Sequence, residues 1–236
     1  MQRLFCISVL LWGCGSYPAG DLALEALQSS TQTTVSETKE WIAFSPTEPL
    51  YETGIAFYPG GKVEPEAYAP ILRNLADQGL QTYILRLPSD LAILDQNAVL
   101  DLFEEDTREH WLVAGHSLGG LAAAKMALEN DQIAALSLWA SYPAGSVDLS
   151  TASLPVHSIA GSKDSVLDTE NWEASASQLP AETEWITIEG GNHAQFGDYG
   201  EQDGDGEATI SPEEQWAQTS ELMLELIQSI EPSSRE

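Results

Sequence analysis

Short apolar runs alternate with longer segments of helical spacing along most of the chain. Trp41 to Phe44, Gly54 to Tyr58, Gln81 to Leu87, Trp111 to Ala114, Ala134 to Ala140, Val156 to Ala160 and Glu184 to Ile188 are brief and apolar, and turn-forming residues bound many of them. They predict strands, with the first two close enough to be neighbours. Between them, Pro65 to Leu80 carries Tyr68, Ile71, Leu72 and Leu75 at helical spacing, with Gly79 as a stop. Asn97 to Glu105, the alanine-rich Leu121 to Leu128, and Glu170 to Leu179 also predict helices. A final helix is marked by Ser211-Pro212-Glu213-Glu214, which combines an N-cap, a first-turn proline and a capping-box glutamate. Trp216, Leu222, Met223, Leu226, Ile227 and Ile230 lay an apolar stripe along it. Alternating β and α units predict an α/β fold, with a mostly parallel central sheet and helices on both faces. No internal repeat and no second domain are evident. The polar segment 15–40, with a short helix at Leu22 to Leu27, reads as a tether; residues 41–232 form the domain and 233–236 a tail.

One strand leads into chemistry. Trp111 to Ala114 runs into Gly115-His116-Ser117-Leu118-Gly119, and a helix follows. A G-x-S-x-G turn between strand and helix holds its serine in strained geometry above the sheet edge, where the helix N-terminus can stabilise an oxyanion. Ser117 is therefore the candidate nucleophile. It needs a base, and the base needs an acid to orient it. In this arrangement the acid and the histidine follow the serine in the chain. His157 lies within an apolar run and reads as part of the sheet, whereas His193 follows the last strand in Gly190-Gly191-Asn192-His193. His193 is the preferred base. Asp164, after the strand Val156 to Ala160, is the preferred acid, with Asp148 and Asp168 as competitors in an acid-rich chain. His116 is assigned a packing role.

The oxyanion hole should draw on two main-chain donors. Leu118 supplies one. The other falls in Pro59-Gly60-Gly61-Lys62, with Gly61 the first choice and Lys62 the second. Tyr58, Tyr142 and Phe196 are candidate pocket residues, each equally placed for the core, and Lys62 is a candidate contact for an anionic substrate group. Asp198, Asp203, Asp205 and Glu207 offer oxygens at alternate positions, but Glu207 comes too early to complete an EF-hand. A solvated loop that positions His193 is preferred to a metal site, and no metal or other cofactor is expected.

Charge narrows the partners. Nine Lys+Arg against 37 Asp+Glu give a net charge of −28 over 236 residues. That opposes nucleic acid and anionic lipid surfaces. No protein partner is expected. Both cysteines, Cys6 and Cys14, lie before residue 15, so the body has no internal disulfide. Met1 to Arg3 and the apolar run Leu4 to Trp12 read as a leader, residues 1–14, too short to span a bilayer. Leu11-Trp12-Gly13-Cys14 resembles a bacterial lipoprotein processing box, with Cys14 as the lipidated residue. The resemblance implies an extracytoplasmic protein, at the periplasm or cell surface, held by a lipid anchor; plain secretion is the alternative.

Taken together, these features resemble a serine hydrolase of the α/β-hydrolase superfamily. More narrowly they resemble the compact, lid-less branch related to dienelactone hydrolases, often called the Abhydrolase_5 type. The resemblance runs from Trp41 to Ile230. It is carried by Phe57 to Val63, Pro65 to Pro70, Gly115 to Gly120, Ala140 to Ala144, Gly190 to Gly197 and Gly204 to Ser211. Pro59 stands where many relatives have a histidine before glycine. The resemblance implies cleavage of a small-molecule acyl ester, or a related acyl bond, through a serine acyl-enzyme without a cofactor. Acyl transfer or perhydrolysis on the same triad, and a non-catalytic surface binding protein, are the alternatives.

Overall fold

A computed structural model describes residues 16–231. The leader with Cys14, and the tail, lie outside the described residues. Eight strands form one sheet, in the order β1-β2-β4-β3-β5-β6-β7-β8. They are β1 (Thr33–Glu37), β2 (Trp41–Pro46), β3 (Gly54–Tyr58), β4 (Gln81–Leu85), β5 (Trp111–His116), β6 (Ile133–Trp139), β7 (Val156–Gly161) and β8 (Glu184–Ile188). β1 and β2 pair antiparallel, as do β2 and β4; every pair from β4 to β8 is parallel. The expected α/β architecture is therefore present.

Two expectations are corrected at the edge. The segment 15–40, expected as a tether, carries α1 (Asp21–Ala26) and β1. In β1 only Thr33 is buried and Val35 half-buried, because an edge strand covers one face. Its polar outer face removed the apolar signal that marks the other strands. Nor are β2 and β3 neighbours. β4 lies between them, since β2 takes the antiparallel side of β4 and β3 the parallel side.

The helices are α2 (Ala69–Asp77), α3 (Val99–Glu105), α4 (Leu118–Glu129), α5 (Thr169–Ala174) and α6 (Pro212–Ile230). Proline breaks the expected first helix into a 3-10 turn, Pro65–Tyr68, ahead of α2. Gly79 ends α2 with φ +94°, and the Leu80 N–H returns to the Leu75 carbonyl at 3.2 Å. Ser211 caps α6, its Oγ accepting from the Glu214 N–H at 3.2 Å, a contact of about 1 kcal/mol. Strand side chains alternate between the faces. Ile55 and Phe57 join Ile71, Leu75, Met223 and Ile227 in one core, under α2 and α6. Ala56 and Tyr58 join Val99, Leu102, Ala123 and Met126 in the other, under α3 and α4.

This packing delivers four loops to the carboxyl end of the sheet: 59–64 after β3, the turn at Ser117 after β5, 162–168 after β7 and 189–211 after β8. If β1 belongs to the fold, deleting residues up to Glu37 uncovers β2 and lowers the melting temperature by at least several degrees, as scanning calorimetry would read. An unchanged melting temperature would return the segment to a tether.

Candidate active site

The turn at Ser117 holds strained backbone at the sheet edge. Ser117 sits at φ 51°, ψ −121°, a conformation rarely held by a residue with a side chain, at a strain of about 1–3 kcal/mol. Its surroundings over-determine it. Its N–H donates to the Trp139 carbonyl at 2.9 Å. Its carbonyl accepts from Ser141 Oγ at 2.7 Å and from the Gly120 N–H at 3.1 Å. The flanking glycines are steric necessities. A Cβ on Gly115 would lie 2.5 Å from the Gly119 carbonyl carbon, and one on Gly119 would lie 2.1 Å from the Tyr58 carbonyl oxygen. α4 can thus start hard against both β5 and the loop after β3.

Asp164 and His193 meet beside this turn. His193 Nδ1 and Asp164 Oδ2 are 2.9 Å apart, with side chains 2% and 1% exposed. The other carboxylate oxygen of Asp164 accepts from the N–H groups of Val166 and Leu167 at 2.9 and 2.8 Å. An acceptor-only carboxylate draws the imidazole proton to Nδ1 and leaves Nε2 as the acceptor. Nε2 is buried and makes no hydrogen bond among the described residues. The His193 ring packs on that of His116, the residue before Ser117, with centroids 4.5 Å apart.

The main chain on both sides of His193 is held. Before it, Gln215 of α6 clamps Asn192: its Oε1 accepts from the Asn192 N–H at 3.0 Å, and its Nε2 donates to the Asn192 carbonyl at 2.9 Å. After it, Asp205 accepts the Ala194 N–H at 2.8 Å through Oδ2, while Oδ1 accepts the N–H of Ser165, next to Asp164, at 3.2 Å. One carboxylate thus ties the loop of the aspartate to that of the histidine.

In the loop after β3, the Gly60 N–H donates to Tyr68 Oη at 2.9 Å and the Lys62 N–H to the Asp90 carbonyl at 2.7 Å. The Gly61 N–H between them makes no hydrogen bond among the described residues, nor does that of Leu118 at the start of α4. Tyr68 Oη also lies 2.9 Å from His116 Nδ1. A buried hydroxyl needs an acceptor, so its proton is assigned to that nitrogen. Burial first, and the neighbouring His193 second, hold His116 well below the ordinary imidazole range, so it stays neutral. Burial likewise pushes the Tyr68 hydroxyl upward.

Strand, turn, helix and following loops now stand in one arrangement, and comparison with known proteins agrees. The sequence matches the alpha/beta hydrolase family over residues 54–217, more than half of the chain. The chain belongs to the alpha/beta hydrolase family. No curated protein matches the sequence. Among solved structures, one described as a predicted CIB-like hydrolase from Thermoplasma acidophilum aligns with a TM-score of 0.64 at 16% identity, over 81% of this chain and 98% of that one. Thermogutta terrifontis esterase 2 aligns in its butyrate-bound form with a TM-score of 0.59 at 16% identity, over 87% and 97%. The same esterase phosphoramylated by tabun gives 0.58 at 16%, over 88% and 98%. At these identities the likeness is one of fold.

Not every expected site residue of this alpha/beta hydrolase reaches the open edge. Tyr58 and Phe196 are fully buried and are corrected to core residues. Tyr58 points under α3, where its hydroxyl donates to the Gln96 carbonyl at 2.7 Å. Phe196 packs on Trp139 and His116. Lys62 is exposed, with Nζ 3.4 Å from the Ser89 carbonyl, and Tyr142 is half-buried just past Ser141. Asp198 and Asp205 direct their carboxylates at main-chain N–H groups. No local pattern gives Tyr68, Ser141 or Gln215 a role at the site, because each acts on residues remote in sequence, whereas Asp205 lies in the acidic loop expected to position His193 and holds the Ala194 N–H beside it.

The buried imidazole gives a pH signature. His116 is held neutral in the folded hydrolase, while the unfolded chain takes up a proton as pH falls below 6.5. Its contribution to stability is therefore complete above that pH and declines below it. His157 is shifted the same way by burial, although Glu184 and Glu225 oppose the shift. Replacing His116 by Asn should flatten the acid limb of the stability curve by up to about 1.4 kcal/mol per pH unit relative to native protein. Denaturant melts between pH 5 and 7 measure this, and parallel curves for the two proteins would contradict it.

Proposed function

We propose that this alpha/beta hydrolase cleaves a carboxylic ester, or a related acyl bond, through a covalent intermediate on Ser117. Ser117 Oγ attacks the carbonyl carbon while His193 Nε2 takes its proton. Asp164 keeps the imidazole oriented and stabilises the imidazolium. The oxyanion is received by the N–H groups of Leu118 and Gly61, the donors left free at the turn and in the loop after β3. The imidazolium then protonates the leaving alcohol. Water, deprotonated by the same nitrogen, attacks the acyl-serine, releasing the acid and restoring the hydroxyl.

The observation that carries this reading is the buried Asp164–His193 pair beside the strained Ser117 turn. The rim supports an apolar acyl or alkyl group. Leu118 follows the serine, Val166 lies two residues past Asp164, and Ile93 and Leu94 sit on a 3-10 turn packed against α4; all four are exposed. The butyrate held by the Thermogutta terrifontis esterase belongs to the same chemical class. On the sequence of its leader, the enzyme is proposed to act outside the cytoplasm, anchored through Cys14.

Turnover of p-nitrophenyl butyrate tests the reading. Ser117→Ala and His193→Ala should each lower kcat by several orders of magnitude, about 10⁶ being the precedent in another serine hydrolase. Tyr68→Phe withdraws the acceptor that fixes Gly60 beside the oxyanion donor. It should lower kcat by about 10- to 100-fold and leave KM nearly unchanged, because an oxyanion contact forms only in the transition state. Native-like turnover in Ser117→Ala would overturn the proposal.

A further inference from the structure

The residues just before and within α1 touch both halves of the site. Tyr17 lies alongside Val63 as an added parallel bridge: its N–H donates to the Lys62 carbonyl at 2.6 Å, and its carbonyl accepts the Glu64 N–H at 3.0 Å. Two residues on, the Ala19 N–H donates to Glu64 Oε2 at 3.0 Å. The chain then crosses to the loop after His193. The Gly20 N–H donates to the Asp198 carbonyl at 2.7 Å, and the Ala23 N–H to Asp198 Oδ2 at 2.8 Å. Tyr17 and Tyr199 pack their rings 5.5 Å apart. A Cβ on Gly20 would fall 2.5 Å from the Asp198 carboxylate, so a side chain there would displace that carboxylate. The Asp198 N–H completes the knot by donating to the Ala67 carbonyl at 2.8 Å, in the 3-10 turn that follows the glycine loop.

These contacts join loops that the sheet leaves separate. The loop with Gly61 leaves β3 and the loop with His193 leaves β8, with β5, β6 and β7 between them in the sheet. No strand pairing sets their relative position. We propose that Tyr17–Ala23 is a strap that fixes the oxyanion loop against the histidine loop, with Asp198 and Glu64 as its positioning residues. The proposal rests on the serine-hydrolase reading for its consequence in catalysis. Its mechanism is geometric. Gly61 is one peptide from Lys62, and the turn carrying His193 ends at Gly197, one peptide from Asp198. Loosening the strap lets the oxyanion donor and the base drift apart, and a displacement near 1 Å is enough to cost about 10²-fold in rate. A leader removed before Cys14 leaves the strap whole.

The test uses the full chain with Asp198→Ala, Asp198→Asn and Glu64→Ala, read by hydrogen exchange and by steady-state hydrolysis of p-nitrophenyl butyrate. Asp198→Ala should speed exchange in the peptide covering Gly60 to Glu64 by at least about tenfold, and lower kcat by about 10- to 100-fold with KM within about twofold. Asp198→Asn keeps a side-chain oxygen for the Ala23 N–H and should restore most of both. Glu64→Ala removes only the acceptor for Ala19 and should show a smaller change of the same kind; it decides the matter if Asp198→Ala does not fold. A folded Asp198→Ala protein with native loop exchange and native kcat would overturn the strap. So would an Asp198→Asn protein as impaired as Asp198→Ala. Hydrogen exchange needs no substrate, so a native protein inactive on esters would count against the hydrolase reading while the exchange result still judged the strap.

Discussion

The bond between Asp164 and His193 is made by two loops from adjacent parallel strands, and much of the molecule serves to keep it short. A carboxylate 1% exposed would be costly on its own, so it is surrounded by an imidazole and two main-chain N–H groups. The imidazole cannot turn away, because its ring is packed on His116 and its neighbours in the chain are clamped by Gln215 and Asp205. The first turns of α6, with the Ser211 cap and the buried Gln215, are thus part of the site as much as of the core. Burial and polarity work together here. The main-chain groups of Asn192 and Ala194, on either side of the histidine, have side-chain partners that fix their direction.

The other half of the site follows from steric compression. Gly115 and Gly119 let β5, α4 and the loop after β3 approach to distances that no side chain would permit, and this closeness brings Leu118 near Gly61. The same approach places His116 under the glycine loop, where its bond to Tyr68 reaches Gly60. Ser117, its preceding histidine and the glycine loop after β3 therefore form one mechanical unit. Its strain is sustained by Trp139 and Ser141 at the end of β6 and just beyond.

Local features were legible in the sequence. The strands buried on both faces, the glycine stop after α2, the capped final helix and the G-x-S-x-G turn all announce themselves within a few residues. Asp164 and His193 were also accessible, because chain order and position after a strand narrow the choice to few residues. What escaped was long-range or one-sided. β1 shows water most of its side chains, so its sequence resembles a linker. Tyr58 and Phe196 looked like pocket residues because they adjoin functional loops, yet strand alternation and a tight 3-10 turn direct them into the core. Tyr68 acts on a residue 48 positions away, and Ser141 on one 24 positions away. No periodicity encodes such pairs. They exist only once the sheet has assembled.

The proposed function requires Asp164, His193 and the turn geometry to make Ser117 an activated nucleophile. Intact-mass analysis after exposure to a fluorophosphonate tests it most directly, with Ser117→Ala and His193→Ala beside the native protein. One adduct is expected on the native protein, none on Ser117→Ala, and labelling slowed by several orders of magnitude on His193→Ala. A folded native protein that takes up no adduct, or a Ser117→Ala protein that labels like the native one, would contradict it.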